Sequence, residues 1–204
     1  MVLSVALEKL KDSLSCVTYN GAQHTHILLE EQDAAATLKK VILHAPTGDW
    51  FSFNPDEGRK CKRLDEKSNL VLMSPLLTVG NHDHHCACDA VIIVRRNEKL
   101  TVLYIDLKSG NPTGYAKQFK STRQFVRYAL ALLAEFYEQK LIIAEERYII
   151  LYGGKEPFIN KTPSVPKTNT IGQTRPDQAY KRYVSDKSRS VSYTHLRAHE
   201  TRED

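Results

Sequence analysis

The sequence predicts an α/β fold with a central mixed β-sheet flanked by helices, and three features carry that expectation. Two β-branched runs, residues 88–96 (CDAVIIVRR) and 100–108 (LTVLYIDLK), stand on either side of a short polar break. A polar-to-apolar pattern of helical period runs from Thr113 to about Gln139, and the apolar run 147–154 (RYIILYGG) follows it. Strand, strand, helix, strand is an α/β arrangement.

The totals fit one globular domain with its own core: 204 residues, 41% apolar and 26% charged. No apolar run reaches the roughly 18 residues of a membrane span, and Glu8, Lys9, Lys11 and Asp12 fall where a secretory segment would be apolar. A cytoplasmic protein without a membrane partner is expected. Four cysteines, Cys16, Cys61, Cys86 and Cys88, then read as reduced thiols or a metal site rather than a disulfide framework. Charge is uneven along the chain. Residues 1–107 hold 12 Lys and Arg against 14 Asp and Glu, whereas residues 108–189 hold 15 against 7. Such a basic segment suits a polyphosphate partner, since phosphate neutralisation supplies most of non-specific nucleic-acid affinity. A merely solvated basic surface is the plain alternative.

Taken in order, residues 2–15 space Val2, Val5, Leu7, Leu10 and Leu14 as an amphipathic helix. Residues 24–29 and 39–44 read as strands, bounded by the turn signal at 45–49. The polar stretch 50–70 reads as a loop. Residues 88–96 and 100–108 form a hairpin about Asn97-Glu98-Lys99, and Ser109-Gly110-Asn111-Pro112 ends its second strand. On the following helix, Tyr115, Phe119, Val126, Leu130, Leu133 and Tyr137 share the buried face. Four prolines between Pro157 and Pro176 make residues 155–189 an extended arm or a truncated C-terminal part.

Chemistry concentrates at the far end of the hairpin. Residues symmetric about the turn pair across the ladder, which sets Asp89 beside Asp106. Two carboxylates so close repel unless a cation joins them, and a hard divalent ion such as Mg²⁺ or Mn²⁺ is held by one or two carboxylates with water and phosphate. Lys108 emerges on the face of Asp106, two residues along the strand, where its ammonium can stabilise developing phosphate charge.

Asp89, then Asp106-Leu107-Lys108 at the end of an apolar strand, resembles the PD-(D/E)xK signature of restriction-endonuclease-like nucleases, although Cys88 stands where the signature has proline. Gln118-Phe119-Lys120-Ser121-Thr122 is similar to the glutamine-bearing helix segment of that family. The resemblance spans about residues 85–153 of a nuclease-like domain at 1–154. It implies a restriction-endonuclease-like core and metal ligation by Asp89, Asp106 and the Leu107 main-chain carbonyl. It further implies a catalytic Lys108 and a supporting Gln118. The function implied is metal-dependent hydrolysis of DNA or RNA, in defence or repair; a non-catalytic nucleic-acid-binding module on the same fold is the alternative, and a homodimer is compatible with either. No N-terminal acid of the kind some members use is assigned securely, Glu8 being a guess.

Lys117, Lys120, Arg123 and Arg127 recur along the same helix and are expected to track a nucleic-acid backbone, against the alternative of a solvated helix face. The cluster His82-Asp83-His84-His85-Cys86-Ala87-Cys88 invites a zinc reading. Its spacing suits zinc poorly, because Cys86 and Cys88 enclose one residue and no downstream pair follows. Finally, residues 191–201 (VSYTHLRAHET) resemble a translated sequencing adapter, so 190–204 are read as a non-native tail and the native C-terminus is expected to differ beyond about Arg189.

Overall fold

The computed structural model describes residues 2–14, 16–31, 35–57, 83–109, 113–153 and 174–184, and the backbone of 190–192. Their elements are α1 (Val5–Asp12), β1 (Val17–Asn20), β2 (His26–Glu30), β3 (Lys40–His44), β4 (Trp50–Phe53), β5 (Ala90–Arg96), β6 (Lys99–Ser109), α2 (Tyr115–Tyr137), β7 (Ile142–Gly153), β8 (Tyr180–Tyr183) and β9 (Ser190–Ser192).

Six strands form one mixed sheet in the order β1-β4-β5-β6-β7-β8. Its first four strands pair antiparallel, while β6, β7 and β8 run parallel. The tight hairpin between β5 and β6 cannot join parallel strands, whereas α2 supplies the long crossover that β6 and β7 require. Asn97 and Glu98 form the two-residue turn, both at positive φ (48° and 68°), between the paired Arg96 and Lys99. That left-handed pair matches the twist of the flanking strands.

Alternation along the central strands feeds two cores. Ile92, Leu103, Ile105 and Leu107 face a second sheet, β2-β3-β9, through its Ile27, Leu29, Val41 and Leu43. Val91, Ile93, Val102 and Tyr104 face the helices, meeting Leu7 and Leu10 of α1 and Phe119, Val126, Leu130 and Leu133 of α2. Each such fully buried side chain contributes roughly 1.5–3 kcal/mol. The described residues therefore make three layers. Both helices lie on one face of the central sheet and a small sheet covers the other.

Several expectations change. Trp50–Phe53 is a strand rather than part of a loop: all four residues are buried, and a short strand covered on both faces shows no polar alternation to read. Residues 58–70 of that expected loop lie outside the described residues. Helix α1 begins at Val5, and Val2 and Val5 are exposed. Strand β7 starts five residues before the expected 147. Beyond residue 154, β8 pairs with β7 at the edge of the main sheet and Val184 is buried in its core. Ser190–Ser192, at the start of the tail read as non-native, pair with β3; residues 193–204 lie outside the described residues.

Candidate active site

The register of the hairpin builds the site. Ala90 pairs with Ile105 and Arg96 with Lys99, so the same register continued by one residue sets Asp89 against Asp106. Asp106 falls on the Tyr104 side of β6, beneath α2, and is fully buried. Asp89 sits just before β5, partly exposed, and its Oδ2 accepts the Leu107 backbone N–H at 2.6 Å. Lys108 Nζ lies 2.8 Å from Asp106 Oδ2 and donates to Gln118 Oε1 at 2.9 Å. Gln118 Nε2 reaches back to the Ala87 carbonyl at 3.3 Å. Asp89, Asp106, Lys108 and Gln118 thus meet at one end of the sheet.

Helix α2 fixes the approach to Asp89. Thr122 Oγ1 accepts the Cys88 N–H at 3.0 Å, Ser121 Oγ donates to the His84 carbonyl at 2.5 Å, and Lys117 Nζ lies 3.3 Å from Asp83. Together with Gln118, these side chains tie residues 83–88 along one flank of the helix. Thr122 is a positioning residue that the sequence quoted without a role.

Burial raises the pKa of Asp89 well above the ordinary carboxylate value, and the charge of Asp106 raises it further against the Leu107 hydrogen bond. Asp106 is also raised by burial, opposed by the Lys108 ammonium. Glu31, which directly follows β2, adds repulsion to both. That third carboxylate escaped the sequence reading because its strand belongs to the second sheet. Glu8 stands instead on α1 with its carboxylate 3.4 Å from Lys11.

Comparison with protein-family models, curated proteins and solved structures finds no match.

The donor set of the site suits a hard divalent cation. The Asp106 carboxylate accepts no well-aligned hydrogen bond from the described residues, with the Lys108 ammonium and the Asp89 carboxyl set against it. A cavity of about 40 Å³ adjoins Asp89 between β2 and β4. Among the described residues no three His, Cys, Asp or Glu side chains converge on one point, so a cation here would rest on two carboxylates completed by main chain, water and phosphate.

The basic stripe divides. Lys117 and Lys120 are exposed on the outer flank of α2. Arg127 instead binds Glu146 at 2.9 Å, and Arg123 lies beside the Tyr148 hydroxyl, which burial pushes up to about 12 against the pull of that guanidinium. Tyr104, stacked on Tyr148 at 5.0 Å, donates to Glu146 at 3.1 Å. These two arginines anchor α2 to the sheet. In the His/Cys cluster, the Cys88 thiol is buried 3.4 Å from the Ala90 carbonyl, and burial raises its pKa. The His84 and His85 rings pack edge to face, while His82 and Cys61 lie outside the described residues.

Proposed function

We propose that the chain is a metal-dependent nuclease of the PD-(D/E)xK type. The observation that carries this reading is the convergence of Asp89, Asp106, Lys108 and Gln118 at one end of a central mixed sheet. Asp89 and Asp106, with the Leu107 carbonyl, would hold Mg²⁺ or Mn²⁺. Such an ion supplies Lewis acidity toward a phosphodiester and lowers the pKa of bound water. The protein's own groups do the rest. The Leu107 N–H holds the Asp89 carboxylate against the strand, and Gln118 steers the Lys108 ammonium. From there Lys108 can stabilise charge that builds on the phosphate oxygens, worth several kcal/mol in a desolvated site.

A non-catalytic binding module on the same fold is the second reading. The 2.8 Å contact between Lys108 and Asp106 favours it, since the pair neutralises itself without a ligand. Against it stands the cost of keeping Asp89 and Glu31 close by, which a binding surface does not need.

The test is a cleavage assay on single- and double-stranded DNA and RNA with Mg²⁺ or Mn²⁺, run beside an EDTA control. The wild type is expected to cut at least one substrate, with Asp106→Ala and Lys108→Ala each slowed a hundredfold or more. Equal behaviour of all three proteins would overturn the catalytic assignment.

A further inference from the structure

A groove of about 820 Å³ runs along the outer flank of α2, away from the buried acids. Its walls are the first half of α2, the turn at Asp83 and His84, and the segment carrying Asp177 and Lys181. Four cationic side chains line it, Lys117, Lys120, Arg123 and Lys181, against two acidic ones. Both acids already have partners: Asp83 lies 3.3 Å from Lys117 and Asp177 lies 3.1 Å from Arg175. Lys120 and Lys181 are exposed on opposite walls and, with Arg123, carry the remaining positive charge.

Between them lies an aromatic ring. Tyr115 is half-buried, with Lys181 Nζ 5.3 Å from its ring centre and Phe119 packed at 5.9 Å. Its hydroxyl donates to the Asp177 carbonyl at 3.1 Å, which ties the two walls together at that point. Cations on both walls around a π surface match what one nucleic-acid strand needs, because phosphates follow the charge and bases stack on the ring.

We infer that this groove binds a single nucleic-acid strand, with Lys120 and Lys181 holding phosphates and Tyr115 offering a stacking surface. The inference rests on the nuclease reading for its substrate class and narrows it to single-stranded DNA or RNA. It also moves the phosphate track from the length of α2 to a path across it, from Lys117 and Lys120 to Lys181. That lysine lies in the stretch that the sequence set apart as an arm.

The test is fluorescence anisotropy of the full chain in EDTA, with a labelled single-stranded oligonucleotide and a duplex of equal length, titrated across salt concentrations. Wild type is expected to bind the single strand more tightly than the duplex. The double variant Lys120→Ala/Lys181→Ala should bind it at least tenfold more weakly. Its log-log salt slope should be shallower by roughly 1.4, two single-strand phosphates' worth of counterions. Unchanged affinity and slope in the double variant, or preferred binding of the duplex, would overturn the inference. Because no divalent ion is present, binding is read apart from cleavage. Binding as expected without cleavage in Mg²⁺ would sink the nuclease reading alone.

Discussion

At Asp89 two forces oppose each other: the Leu107 N–H favours the carboxylate, while burial and the charge of Asp106 favour the acid, and burial acts most strongly. A carboxyl whose folded pKa is raised contributes stability that is full below its unfolded value, about 4, and lost as pH rises through the folded value. At neutral pH, far above the unfolded value, the raised pKa of this corner therefore costs the fold free energy. Asp89→Asn keeps an acceptor for Leu107 and removes one charge. The variant should match the wild type near pH 4 and, without divalent ions, melt about 2–4 °C higher near pH 7, a gain of roughly 1 kcal/mol for a chain of this size. Thermal unfolding across that pH range checks it; a gap independent of pH, or a less stable variant, would contradict the electrostatic picture. These residues were legible because the two-residue alternation of a strand and the symmetry of a hairpin need no tertiary information. Glu31 was not, since its approach depends on how the second sheet lies over the first.

Among the elements, α2 was clear in sequence as an amphipathic helix, and its buried face holds Phe119, Val126, Leu130 and Leu133 as its spacing implies. The use of its basic residues was not clear. Helical period places Arg127 on the outer stripe, yet Glu146 at the start of β7 draws its guanidinium toward the sheet, and a pairing between elements that distant leaves no periodic trace. Arg127→Ala should thus act on stability. The Glu146 side chain, 13% exposed, would keep only the Tyr104 hydroxyl among these partners. A loss of about 1–2 kcal/mol in urea unfolding is expected, with single-strand affinity changed less than tenfold. Full stability with a greater loss of affinity would return Arg127 to the phosphate track.

For the whole molecule, the main-sheet strands that escaped the sequence, β1, β4 and β8, are those whose signal is tertiary. Trp50–Phe53 is covered on both faces and lies beside a long polar stretch, while β8 is four residues that alternate only once. Each becomes a strand because a neighbour in the main sheet presents an open edge. The described chain contains no helix long and apolar enough to cross a membrane. Three layers bring together groups from the entry to β5, from β6 and from α2, with Glu31 near enough to be felt, and the proposed chemistry depends on the two acids sharing a cation. Isothermal titration of Mn²⁺ into the full chain at neutral pH reads this directly. Wild type and Lys108→Ala should each take up one ion, and Asp89→Asn/Asp106→Asn should take up none. Equal uptake by the double-asparagine variant, or no uptake by the wild type, would contradict it.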